Sequence, residues 1–473
     1  MSFFFRPDVG AAGDFIPFYW EGDYHIFYLQ DYRDHAKYGE GTPWFHLVTK
    51  DFVDIKKLGE AIPRGKADEQ DLYIFTGSVF ENNGKFYIFY TGHNGSFVPT
   101  EKPQQAIMRV TSTDMVTWTK DPDFYFKAPV EMGYDKDDWR DPYVFLNPDT
   151  GEFNMVLAAR KQTGPSRNRG CLALAVSTDL DNWKVKEPLW APEQYFTHEC
   201  PDVFKMGEWW YLVYSTFTER LVTHYRMSKS LSGPWLAPAD DAFDCRAYYA
   251  AKTAGIGDER YIFGWLASRD GDTDAGGWQW GGNLVVHKVE QQADGSLSVR
   301  IPDTVKAAFD TPVEFGSPQP VLGAWEYIGD GIGARAVGRH SIIRIGDIPE
   351  ECLIECDVDF AAGTYGAGLL LRADDALDNY YVVRLEPSNN RVVIDKWPRP
   401  ADQPFLAERP ISLLPTRSVK LRVLIDESCL VIYADDKVAL SYRSYDFKNG
   451  SLCLFATEGT VNFRGLSVMK RSW

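Results

Sequence analysis

Three carboxylates stand at comparable places in this chain of 473 residues. Asp14 opens the run "FIPFYWEGDYHIFYL", Asp141 lies in "DDWRDPYVF", and Glu199 lies in "FTHECPDVF". Each enters a hairpin-like unit, so radially arranged units would bring the three acids together. Convergent carboxylates suit glycoside hydrolysis. One attacks the anomeric carbon, and one with a raised pKa protonates the leaving oxygen. The third can hold a sugar hydroxyl as positive charge builds on the ring. Crowded like charges themselves push a pKa upward. Each acid also has a structural reading: an Asx turn at Asp14 after a glycine, a local pair of Asp141 with Arg140, a solvated rim charge at Glu199. Their shared placement favours the chemical reading. Asp8, in the same N-terminal loop, is the second candidate for the attacking group.

The elements that must position these acids are repeated. An apolar run, a turn rich in Gly, Asn or Asp, and an aromatic-rich run recur at 15–29, 77–92, 142–160, 201–216 and 248–267. Each unit predicts a β-hairpin. Segments at 48–62, 112–122, 177–188 and 228–238 predict a turn and an outer strand. About four strands per repeat is the content of a propeller blade. From about residue 302 the pattern changes to a proline-bearing stretch and then to short alternating strands such as "CLIECDVDF" and "YYVVRLE". The sequence therefore predicts an all-β protein: a five-bladed β-propeller over 1–305, a linker over 306–325, and a C-terminal antiparallel β-sandwich over 326–473.

The formal net charge of −17 sets nucleic acid and anionic membranes aside as partners and fits a small neutral carbohydrate substrate. No window is apolar over the length a membrane helix needs. Seven scattered cysteines predict buried thiols in a reducing compartment rather than a disulfide framework. Cys352 and Cys356 have no companion cluster for zinc. The opening "MSFFFRPDVGAAGDF" has no signal-peptide pattern, so a cytoplasmic location is expected. No phosphate-cradling loop or metal-ligand cluster is visible, so no cofactor and no metal are expected.

"WRDPYVF" and "HECPDVF" resemble the RDP and EC motifs of glycoside hydrolase family 32, the β-fructosidases. "FYWEGDYHIFYL", "PWFHLVTKDFVD", "FTGSVF" and the C-terminal "VLIDESCLVIYADDKVALSYR" resemble further segments of that family, in the family's order. The resemblance implies a five-bladed propeller with a sandwich and a retaining cleavage of β-D-fructofuranosyl linkages in sucrose or inulin- or levan-type oligosaccharides. It implies Asp14 as nucleophile, Asp141 as transition-state stabiliser and Glu199 as general acid/base. It also implies sugar contacts at Trp44, Phe75 and Ser78. The sequence departs from the family at the nucleophile, where "GAAGDFIPF" replaces W-M-N-D-P-N-G, and at the family's glutamine, where Leu29 stands with Gln30 beside it.

The residues themselves suggest other contacts. Arg140 can keep Asp141 ionised or donate to sugar hydroxyls. Trp278 and Trp280, on the Gly-rich "GGWQWGGN", can wall a pocket or plug a core. His198 should point away from Glu199 by strand alternation. Three other functions share these features: a fructosyltransferase, an arabinofuranosidase-like enzyme, and a non-catalytic carbohydrate-binding protein. The last predicts loss of a catalytic acid, and all three acids are present.

Overall fold

The computed structural model describes residues 4–400, 402–413 and 418–472. Its N-terminal part is a succession of five antiparallel meanders. Their first strands are β1 (Ala11–Trp20), β2 (Tyr73–Asn82), β3 (Tyr134–Leu146), β4 (Glu199–Met206) and β5 (Tyr248–Ile256). Each packs against the next and β5 packs against β1, which closes a ring. A single bridge, Ala12 to Gly282, joins the first and last meanders into one sheet. This is the expected propeller, with the five innermost strands around one channel.

Local chemistry explains the hairpins. Glu21–Gly22 and Asn83–Gly84 turn with positive φ at both residues (49° and 94°, 54° and 78°), the geometry of two-residue turns matched to strand twist. Each outer turn of the first three meanders begins with a hydroxyl and an aspartate two residues on. Thr49, Ser112 and Ser177 accept the N–H of Phe52, Met115 and Leu180, each at 2.9 Å. Asp51, Asp114 and Asp179 accept the following N–H groups. The fourth meander keeps three strands, and its expected outer strand is reduced to the bridges Met227–Leu236 and His224–Ala242. Pro234 and Pro238 lie in this stretch and supply no N–H for a ladder.

The C-terminal part is the expected sandwich of two antiparallel sheets. One correction concerns 306–325, read from sequence as a linker. Phe309–Pro312 pairs with the last strand, Thr460–Arg471, and Gln319–Leu322 pairs with His340–Asp347, so this stretch belongs to the sandwich sheets. One apolar core runs from the propeller into the sandwich. Between the two parts, the buried Asp244 carboxylate accepts from His287 Nε2 at 3.0 Å and from the Ser441 N–H and hydroxyl at 2.7 and 2.5 Å. The Arg443 guanidinium donates to the carbonyls of Leu266 and Ala267 and to Asn283. The seven cysteines are all buried free thiols.

Candidate active site

Every innermost strand carries a register shift near its entry. The residues that fall out of register are Asp14, Thr76, Asp141, Cys200 and Ala250 together with their neighbours. Asp14, Asp141, Cys200 and Ala250 have left-handed φ of 46°, 56°, 50° and 51°. A bulge re-aims a side chain, and strained backbone of this kind clusters at functional sites. The bulged residues ring the channel axis. Thr76 Oγ1 donates to Asp14 Oδ2 at 2.6 Å, and the Cys200 N–H donates to Asp141 Oδ2 at 2.9 Å.

This register corrects one reading of the sequence. Asp14 and Asp141 hold the bulge position, but Glu199 stands one residue before it, where Cys200 is bulged. The residues preceding the bulges are Gly13, Phe75, Arg140, Glu199 and Tyr249. They form a second ring, of which all but Gly13 line a cavity of about 580 Å³ together with Asp14 and Asp141. At Gly13 a Cβ would come within 2.5 Å of the Trp280 ring, so the indole occupies the room that a side chain would need. Gly13→Ala is expected to lower folding stability by roughly 1–3 kcal/mol, the cost of overpacking; denaturant unfolding of the purified variant measures it.

The carboxylates differ in their partners. Asp14 accepts from Thr76 and, at Oδ1, from Trp265 Nε1 at 3.0 Å. Burial raises its pKa to about 7; the charges of Asp141 and Glu199 add to this, against the Thr76 and Trp265 hydrogen bonds. Glu199 accepts from Tyr249 Oη at 2.6 Å and from Arg140 Nη2 at 3.2 Å. Burial holds its pKa above the usual range, with Arg140 and Tyr249 pulling it down and Asp141 pushing it up. Asp141 is 4% exposed, with Arg140 Nε at 3.8 Å. Arg140 also donates to Asp138 and Thr197. Burial works against its charge, and Glu199, Asp141 and Asp138 more than offset that. Below the ring, Lys252 Nζ donates to the Pro201 carbonyl at 2.6 Å and steadies the fourth bulge. Burial lowers the Lys252 pKa, opposed by Asp202, Cys200, Asp141 and Asp14.

The structure brings together Asp14, Asp141, Glu199, Phe75, Arg140, Trp278 and Trp280 around the cavity. It does not bring Trp44 or Ser78 there. Trp44 is fully buried among Ile62, Phe27 and Tyr90 in the core between the first two meanders. Ser78 is 3% exposed, and its hydroxyl accepts the Val144 N–H at 3.0 Å, tying β2 to β3. Asp8 is exposed and pairs with Lys57, away from the ring. His198 is buried among Trp190, Tyr195 and Tyr214. Leu29 faces the cavity in place of an amide, while Gln30 donates to the Val9 carbonyl at 2.7 Å. The sequence reading missed Thr76, Tyr249 and Trp265, the donors that hold Asp14 and Glu199. Among the described residues, no group of three or more metal-ligating side chains occurs, and no helix is long and apolar enough to cross a membrane.

A propeller whose mouth gathers two carboxylates with raised pKa values and a third beside an arginine, fused to a β-sandwich, is the architecture of a sugar-cleaving enzyme. Comparison with known proteins agrees. Residues 14–295 match the glycosyl hydrolases family 32 N-terminal domain, and residues 339–470 match the glycosyl hydrolases family 32 C-terminal domain. The chain belongs to glycoside hydrolase family 32. It is 32% identical over 220 residues to a levanbiose-producing levanase of Bacillus subtilis, an alignment covering 42% of this chain and 38% of the levanase. It is 24% identical over 477 residues to a sucrose-6-phosphate hydrolase of Zymomonas mobilis, covering 94% and 86% of the two chains. Its fold is similar to that of the exo-inulinase of Aspergillus awamori, with a TM-score of 0.75, 16% identity, and coverage of 99% and 97%.

Proposed function

We propose that this protein hydrolyses β-D-fructofuranosyl linkages of sucrose or of short inulin- or levan-type oligosaccharides, with retention of configuration. The observation that carries this reading is the ring of bulges, which sets Asp14, Asp141 and Glu199 at one mouth with separate hydrogen-bond partners. The names of the levanase, the sucrose-6-phosphate hydrolase and the exo-inulinase support the substrate class.

Asp14 attacks the anomeric carbon. The Thr76 and Trp265 donors orient its carboxylate without permanently neutralising it. Glu199, buried and raised, protonates the leaving oxygen and then takes a proton from the incoming water. Arg140 and Tyr249 fix the two oxygens of that carboxyl group. Asp141 accepts hydroxyls of the fructosyl ring, and its negative charge grows in value as the ring becomes cationic. Phe75, Trp278 and Trp280 supply apolar walls for the sugar faces.

The test is release of fructose from sucrose and from inulin- and levan-type oligosaccharides, with aryl arabinofuranosides alongside. Fructose release is expected. Arabinose release alone overturns the substrate class, and fructosyl transfer without hydrolysis overturns the hydrolase reading.

A further inference from the structure

The loop 270–277 leads into the cavity wall formed by Trp278, Gln279 and Trp280, and it is fastened to the sandwich as well as to the propeller strand that ends at Arg269. Its fastening point is Asp274, which is 2% exposed. Asp274 Oδ2 accepts from Tyr381 Oη at 2.5 Å and faces Lys396 Nζ at 2.8 Å. Asp274 Oδ1 accepts the Tyr445 N–H at 2.8 Å, and the Asp274 N–H donates to Asp446 Oδ1 at 3.0 Å. The Asp446 N–H donates to Tyr381 Oη at 3.0 Å, and the Asp446 carboxylate also pairs with Lys396. Tyr381, Lys396, Tyr445 and Asp446 all belong to the sandwich. A carboxylate so buried is held only by partners such as these.

The cluster connects to the pocket through Arg269. Arg269 donates to the carbonyl of Asp274 and to Tyr442 Oη, and its guanidinium lies 3.9 Å from the centre of the Trp278 ring. Tyr442, on the sandwich, meets the same indole edge-on at 5.4 Å. Two residues further on, Trp280 fills the space beside Gly13, next to Asp14. The sandwich therefore holds one end of the wall, and the reacting carboxylate lies at the other.

We infer that Asp274 is a positioning residue through which Tyr381 and Lys396 of the sandwich set the Trp278–Trp280 wall, making the C-terminal part a determinant of substrate affinity. The inference rests on the fructosidase reading for its kinetic test but not for its structural one. Loosening the wall weakens binding of the intact substrate while the carboxylates keep their own partners, so KM moves and kcat does not.

The full-length chain is compared as wild type, Asp274→Asn, Lys396→Gln and the double variant. Each single variant is expected to raise KM for the best fructoside about tenfold with kcat within about twofold, and the double variant is expected to be no worse than the weaker single one, because the pair acts as a unit. Hydrogen–deuterium exchange of peptides spanning 270–280 is expected to rise in all three. A lower unfolding temperature with KM and exchange unchanged overturns the inference, as does a fall in kcat at constant KM. If the wild type cleaves no fructoside, the functional reading fails by itself. Exchange at 270–280 then decides the clamp: a rise in the variants supports it, and no rise overturns it. Tyr381→Phe, which removes the hydroxyl alone, gives the same readout if the charge-changing variants do not fold.

Discussion

Asp14→Asn is expected to lose at least about 10⁴-fold in kcat on every fructoside tested, the scale on which removal of an attacking side chain is felt. The amide keeps the size of the carboxylate; its oxygen can take the Trp265 N–H and its NH2 can donate to the Thr76 hydroxyl, so the loss is chemical and not structural. Asp14→Ala opens room at the same point. Added azide should then restore activity and yield the fructosyl azide of inverted configuration, because the small anion attacks from the side where Asp14 stood. Activity within tenfold of wild type in Asp14→Asn would sink the assignment. The wild type carries a second signature. Burial, with Asp141 and Glu199 nearby, raises the Asp14 pKa to about 7. Only the ionised form attacks, so kcat/KM should fall as pH drops through about 7, well above the ordinary aspartate range. An acid limb near pH 4 would contradict the buried, crowded setting.

The repeat was legible in the sequence because its units are built from local signals. Glu21–Gly22 and Asn83–Gly84 sit between aromatic and β-branched runs, and hydroxyl-x-Asp turns recur after Thr49, Ser112 and Ser177. The three acids were legible for the same reason, since each lies at the entry to a unit. The register was not. A bulge adds a residue that no composition signal marks, so Glu199 seemed equivalent to Asp14 although Cys200 holds that place. Thr76, Tyr249 and Trp265 were missed because uncharged residues in an aromatic-rich strand look like core. Aligning the units on their bulges would have found Thr76 at the position of Asp14 and Tyr249 at that of Glu199. Trp44 and Ser78 misled in the opposite sense: they come from stretches that resemble the family's, and a matching stretch does not tell which of its side chains reaches the channel when packed meanders bury both faces of a strand. The strands within 306–325 were read as linker because they are short and proline-bearing and pair with distant partners, Phe309 with Arg471 and Gln319 with Arg344.

Glu199→Ala separates the two halves of the reaction. Departure of an alkoxide from fructose needs a proton, so sucrose cleavage should fall about 10²–10⁴-fold, the range that general acid catalysis contributes. An activated aryl fructoside leaves without that proton, and its first step should survive. The fructosyl–Asp14 intermediate then waits for water that no base activates, so a burst of phenol followed by a slow steady state is expected. Azide needs no general base and should accelerate the slow phase, giving the fructosyl azide of retained configuration, opposite to the product from Asp14→Ala. The pair of azide products therefore assigns both carboxylates. The geometry also predicts how Glu199 is held. Tyr249 Oη and Arg140 Nη2 bind its two oxygens, and Tyr249→Phe removes one of the two donors that lower its pKa. Tyr249→Phe should move the limb of the pH profile that belongs to Glu199 upward while leaving the Asp14 limb in place. A rate loss in Tyr249→Phe with no movement of that limb would mean that the tyrosine serves the sugar and not the acid.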